Sequence, residues 1–187
     1  YRMVGEGQQL FSQATAASLR KAIDKFNESI TLWRLVGDLR TEAITLSQIA
    51  KGYDLLGEKV KALSFYDEAL PLLQAVKDDA GEATTLNNIG LIYDSLGEKQ
   101  KALSYYRRAL PILQKTGDLR VEAYTLNNIG LVYDSVGEKQ KALDNYGRAL
   151  QMLQAVGDRR AEAATLNNIG FVYNSLGEKE RALDYFA

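Results

Sequence analysis

The chain has 187 residues, 46% of them hydrophobic and 25% charged, enough apolar material for a continuous core. It holds no Cys and no His, which removes disulfides, thiolate nucleophiles, imidazole bases and the usual zinc or copper ligands. A formal net charge of −1 lacks the clustered Lys and Arg on which nucleic-acid and anionic-membrane binders depend.

Met3, Val4, Gly7, Leu10 and Phe11 fall at helical spacing and predict a first helix within residues 1–16. Its partner is expected from about Ser18 to Val36, with Ala22, Ile23, Phe26, Ile30 and Trp33 on one face. Gly37-Asp38 then ends one helix and starts the next, since glycine takes the left-handed C′ position and Asp caps an N-terminus. From Leu39 the pattern is regular. An A helix runs to about Leu55, the chain turns at Gly57, and a B helix follows to Val76; later A helices are expected near 79–95, 119–135 and 159–175, and later B helices near 98–116, 138–156 and from 178 onward. Gly117-Asp118 and Gly157-Asp158 repeat the stop and cap, while Asp78-Asp79 keeps the cap without the glycine. Pro71 and Pro111 fall inside B helices, where Thr31 and Gln151 stand at the equivalent positions, and they read as tolerated bends on an outward face.

This regularity is a repeat. Thr125-Leu126-Asn127-Asn128-Ile129-Gly130 recurs letter for letter at Thr85–Gly90 and Thr165–Gly170, displaced by 40 residues each time, with a looser copy at Thr45–Ala50. Gly57-Glu58-Lys59, Gly97-Glu98-Lys99, Gly137-Glu138-Lys139 and Gly177-Glu178-Lys179 keep step. A fixed period of this size signals a solenoid, in which each unit buries its apolar face against its neighbours. The whole of 1–187 therefore reads as one array, with units of about 1–40, 41–80, 81–120, 121–160 and 161–187, the first divergent and the last truncated. Because the chain starts at Tyr1 and stops inside a unit, it reads as a piece of a longer protein. No apolar run approaches the ~20 residues of a membrane span and no signal peptide is visible, so a cytoplasmic location is expected.

Size assigns roles within a unit. Gly90, Gly130 and Gly170 sit in mid-helix, where glycine costs about 1 kcal/mol relative to Ala, and Ala102, Ala142 and Ala182 follow twelve residues on. The expectation is a small–small helix contact, flanked by a core stripe of Leu86, Ile89 and Tyr93 and its repeats, with Tyr106, Ala109, Leu110 and Leu113 on the B helix.

The order Leu86, Ile89, Gly90, Tyr93, Gly97, Ala102, Tyr106, Ala109 resembles the tetratricopeptide repeat position by position, from about residue 18 to the end. Such repeats commonly close with a proline, whereas this chain has Gln114 there and runs on for about six residues. The 40-residue unit is similar to the Pins/LGN-like subclass, and its Leu-Asn-Asn-Ile-Gly string to kinesin light chains and to bacterial, including cyanobacterial, multidomain proteins. The resemblance implies an all-α, right-handed solenoid of antiparallel helix pairs whose A helices line a concave groove.

Carried over residue by residue, the groove positions are Ile44, Ser47, Lys51 and Asp54; Thr84, Asn87, Leu91 and Asp94; Tyr124, Asn127, Leu131 and Asp134; and Ala164, Asn167, Phe171 and Asn174. Their offsets of 3, 4 and 3 share one helical face. Asn87, Asn127 and Asn167 offer amides that suit a peptide backbone, though they could equally bond a neighbouring helix. Asp54, Asp94 and Asp134 form an acidic edge interrupted by Lys51. No catalytic, metal or cofactor site is expected: aspartates recurring once per unit stand ~10 Å apart at helix-packing distances, wider than glycosidase carboxylate pairs. The expectation is a scaffold that binds a peptide or protein segment carrying apolar and basic residues, without nucleic acid or membrane. Two alternatives are an autoregulatory or sensor segment of a larger effector, for example a CHAT-type protease, and a self-associating spacer. Head-to-tail stacking is expected through Leu183 and Tyr185 at one end and the helix of Met3 and Leu10 at the other.

Overall fold

A computed structural model describes residues 2–13 and 15–186, with the side chains of residues 2–4 outside the description. Ten α-helices occupy the described residues: α1 (Arg2–Ser12), α2 (Ala16–Val36), α3 (Leu39–Leu55), α4 (Lys59–Ala75), α5 (Asp79–Ser95), α6 (Lys99–Thr116), α7 (Leu119–Ser135), α8 (Lys139–Val156), α9 (Arg159–Ser175) and α10 (Lys179–Phe186). The fold is an all-α solenoid of helix pairs.

The turns are written in the sequence. Thr15 and Ser18 form a capping box on α2, and the carboxylates of Asp38, Asp118 and Asp158 accept the N–H of Thr41, Val121 and Ala161. Gly37, Gly117 and Gly157 adopt φ of 71°, 72° and 69° at the B-helix ends. At the fourth such position Lys77 is forced to φ 53°, where its Cβ crowds the following carbonyl. Lys77→Gly is therefore expected to raise stability by about 0.5–1 kcal/mol, relief of strain outweighing the extra unfolded-state entropy. Thermal melts of the two proteins check it, and an unchanged or lower midpoint counts against it. Helices α4 and α6 run on through Pro71 and Pro111, whose rings are exposed.

Contacts divide the chain into two compact units, residues 1–92 and 93–187. In the first, Ala22, Ile23, Phe26, Ile30, Leu46, Ile49 and Ala69 make a core against which Leu10, Phe11, Tyr53 and Phe65 pack. Gly7, one of the helically spaced residues of α1, lies beneath the Phe26 ring: a Cβ there would stand 2.6 Å from a ring carbon. In the second unit, Tyr106 packs with Ala102, Ile129 and Val132, and Tyr146 with Ala142, Ile169 and Val172, while Ala123, Leu126, Ala149 and Leu153 close another layer.

Two expectations about the core need correction. The atoms nearest to Gly130 belong to the ring of Tyr146, 2.5 Å from where a Cβ would sit, and not to Ala142. Gly170 stands in the same relation to Phe186. The glycine is thus a seat for a flat aromatic face and the alanine merely a neighbour. Secondly, Tyr93, Tyr133 and Tyr173 are half-buried flank residues, while the fully buried aromatics are Phe26 of α2 and Tyr66, Tyr106 and Tyr146 of the later B helices. Tyr93 stacks on Tyr105 and Tyr173 on Tyr185, with centroids 5.4 and 5.5 Å apart, beneath Lys101 and Arg181 respectively. Tyr133 has Asn145 where the others have an aromatic, and instead its hydroxyl accepts from Arg107 Nη2 at 2.7 Å.

Of the residues expected to make adhesive ends, Leu183 is exposed, Tyr185 is engaged by Tyr173, and Leu10 packs on the first core. The side chain of Met3 lies outside the described residues.

Candidate binding face

The A helices α3, α5, α7 and α9 bury Leu46, Leu86 and Leu126 together with Ile49, Ile89, Ile129 and Ile169, each helix along its own stripe, which turns the positions two residues before the leucine and two residues after the isoleucine outward. Large apolar side chains that are exposed in the interior of these helices, among the described residues, are Ile44 (44%), Leu91 (41%), Tyr124 (39%), Leu131 (42%) and Phe171 (62%). All five occupy one of two repeated places, 44/84/124/164 or 51/91/131/171. Thr84, Lys51 and Ala164, the other members, are exposed too. Lys51 holds its ammonium 5.8 Å from the Phe11 ring centroid.

The asparagines differ from one another. Asn87 is buried, Asn127 half-buried and Asn167 exposed. The carbonyl oxygen of Asn127 accepts from Thr165 Oγ1 at 3.1 Å and from Asn168 Nδ2 at 3.2 Å, so this amide ties α7 to α9. Asn167 is the one turned to solvent.

The acidic edge is paired. Lys59 Nζ donates to Asp54 at 2.5 Å, Lys99 to Asp94 at 2.7 Å and Lys139 to Asp134 at 2.6 Å. Each ammonium also lies 3.3–3.4 Å from the backbone carbonyl of the same aspartate. The lysine of the first three Gly-Glu-Lys turns thus closes the C-terminal end of the preceding A helix, a favourable place for a cation. The signal was present in the sequence as Asp followed five residues later by Lys. With side chains about one-third exposed, each pair contributes no more than about 1 kcal/mol, yet it sets a positive charge beside each aspartate of the edge. In the last unit Asn174 replaces the aspartate and is exposed.

Tyr124 is also engaged, its hydroxyl donating to Asp158 Oδ2 at 2.6 Å. That bond, with the Ala161 amide, holds the Asp158 carboxyl below the usual carboxylate range and pushes the Tyr124 phenol up. The position at which a closing proline was expected is explained as well: Gln114 donates to Glu122 at 3.2 Å, Gln154 to Glu162 at 3.1 Å and Gln74 to Glu82 at 2.8 Å, joining a B helix to the next A helix. Arg34 makes the same link to Glu42 at 2.6 Å.

Among the described residues no three acidic side chains converge to hold a metal ion, and no helix is long and apolar enough to cross a membrane. A face that repeats at this period along paired helices defines a helical-repeat protein. The chain belongs to the tetratricopeptide repeat family, whose model matches residues 60–115 and 121–187.

Solved structures share the fold. BtubC (BKLC) from P. vanneervenii is 23% identical over 98% of this chain and 84% of its own, with a TM-score of 0.72. A Rap protein complexed with Competence and Sporulation Factor is 16% identical over 98% of this chain and 50% of its own, with a TM-score of 0.78. A signal transduction ATPase from Pyrococcus horikoshii with a tetratricopeptide repeat sensor is 17% identical over 95% of this chain and 28% of its own, with a TM-score of 0.82. At these identities the likeness establishes fold alone. A comparison with curated proteins gave no match.

Proposed function

We propose that residues 1–187 act as one non-catalytic interaction scaffold whose A-helix face binds an extended peptide or protein segment. The observation that carries this reading is that, away from the end residues of the A helices, the exposed large apolar side chains fall at two repeated places. Leu131 and Phe171, the latter edge-on to Phe186 with centroids 5.4 Å apart, stay largely exposed at matching offsets, where a partner's apolar residues would cover them. The varied members, Lys51, Leu91, Tyr124, Leu131 and Phe171, choose the partner; the partly exposed Asp54, Asp94 and Asp134 favour Lys or Arg beside an apolar anchor. Asn167, turned to solvent, can pair with a backbone amide.

A peptide-library screen on the intact chain tests this. Binding is expected at about micromolar affinity, ~−8 kcal/mol. Leu131→Ala with Phe171→Ala should weaken it at least about ten-fold, as loss of two anchors would. Exchanging a charge pair, Asp134→Lys with Lys139→Asp, should keep the helix end closed but reject basic ligands. If hits map to the B helices, or if both variants bind like the parent, the reading fails.

A second reading has its own support. The sensor of the Pyrococcus horikoshii ATPase has this fold, so the chain would serve as the regulatory segment of a larger effector, its face occupied by another part of the same protein. Head-to-tail self-association, with Leu183 and Tyr185 at one end and the helix of Met3 and Leu10 at the other, draws support from the exposure of Leu183. Sedimentation across a hundred-fold concentration range separates it from peptide binding.

A further inference from the structure

The interaction face carries a hollow of about 290 Å³ between α3 and α5, floored by Leu73 of α4 and walled by Ile44, Ser47, Ala80, Gly81 and Thr84. Its origin is local. Where this unit has Ala80-Gly81, the others have Arg40-Thr41, Arg120-Val121 and Arg160-Ala161. A Cβ on Gly81 would come within 2.7 Å of Leu73 Cδ2, so any side chain there would invade the floor. The volume is at the lower bound of ligand pockets and suits one side chain rather than a whole small molecule.

The chain itself shows what such a place accepts. At the offset of Ile44 in the 121–160 unit stands Tyr124, whose hydroxyl donates to Oδ2 of Asp158 while Oδ1 of that carboxylate caps α9. Asp78 is the same cap in the first unit. Its Oδ1 accepts the Gly81 N–H at 3.0 Å and its Oδ2 accepts Arg40 Nη1 at 3.2 Å, and its carboxyl lies about 3 Å from the Cβ position of Gly81, which lines the hollow. Ile44 has no group with which to reach it. A carboxylate oxygen has a second lone pair for a further donor. With Arg40 already on the Asp78 carboxylate, and with Gln48, Thr85 and Asn88 completing a lining that carries no charge, the place suits a neutral donor on a flat apolar body.

We infer that this hollow receives a tyrosine side chain of the bound segment, its phenol donating to Asp78 as Tyr124 donates to Asp158. The inference rests on the reading that partners lie along the A-helix face, and it names one residue that they carry.

The test titrates the intact, ¹⁵N-labelled chain with N-acetyl-L-tyrosinamide and, separately, N-acetyl-L-phenylalaninamide. Amide shifts are expected at Gly81, Thr84 and Thr85, at about millimolar affinity for so small a probe. The phenylalanine probe should bind about five-fold more weakly, the loss of one hydrogen bond. Ile44→Tyr supplies the phenol in cis and should lower tyrosinamide affinity at least about ten-fold while melting no lower than the parent. The comparison of the two probes is made on the parent and stands however that variant folds. Equal binding of the probes, shifts centred elsewhere, or an Ile44→Tyr variant that binds like the parent overturns the inference. Library peptides that map to Leu131 and Phe171 and ignore Ile44→Tyr overturn it while leaving the interaction face standing; peptides that map to the B helices remove both.

Discussion

Gly130→Leu is expected to lower the melting temperature by several degrees, because the new side chain must displace the ring of Tyr146 from a place it fills completely. A Cβ alone would stand 2.5 Å from Tyr146 Cε1 and 2.6 Å from Cδ1, closer than carbon atoms approach without something moving. Tyr146 is 1% exposed, with Ile169 and Val172 behind it, so the ring has no vacant direction in which to retreat. Overpacking of this kind typically costs about 1–3 kcal/mol, and a leucine at a site that rejects even a methyl belongs at the upper end. Gly147, also in mid-helix, has nothing within 4 Å of its Cβ position, which makes Gly147→Leu a control for helix propensity alone. Equal melting of Gly130→Leu and the parent would show that the ring does not rest on the glycine.

Alkaline unfolding should be just as plain. Burial pushes the phenols of Tyr66, Tyr106 and Tyr146 up, with the carboxylates of Asp54, Asp94 and Asp134 adding to the shift. Their folded-state values are raised, so they favour the fold fully below the ordinary phenol range and lose that contribution as pH rises. Above about pH 10 the unfolded chain releases three protons that the folded chain keeps, and stability falls by up to about 4 kcal/mol per pH unit from these groups together. The expected result is a cooperative loss of helix above about pH 10, with the phenolate absorbance of these three tyrosines, the part lost in the triple phenylalanine variant, appearing at the same midpoint. Phe26 and Phe186 occupy the corresponding positions at the two ends, so phenylalanine fits this place. Replacing all three tyrosines by phenylalanine should therefore move the midpoint to higher pH. Three phenols that titrate while helix content is unchanged would contradict their burial.

Helix boundaries were legible almost to the residue because stop and start signals are local: Gly117 needs only its own positive φ and Asp118 only the amide three residues on. The outward face was legible for the same reason, since the buried stripe of Leu126 and Ile129 leaves Tyr124 and Leu131 nowhere else to point. What the letters could not show is which side chains meet across helices. Asp134 reads as an open acidic group until the Gly137 turn brings Lys139 back to it, and Asn127 reads as a ligand group until α9 sets Thr165 and Asn168 against its carbonyl. Three asparagines identical in sequence thus have three different exposures.

The period and composition of this sequence alone determined an all-α repeat fold, its helix ends and its outward positions, because each follows from spacing along one helix and from backbone preferences of single residues. Only the tertiary structure decided that glycine seats a tyrosine ring, that the acidic edge is paired with lysine, and that Ala80-Gly81 opens a hollow beside Asp78. Those depend on the angle and distance at which one helix meets the next, quantities to which residues far apart in the chain contribute together.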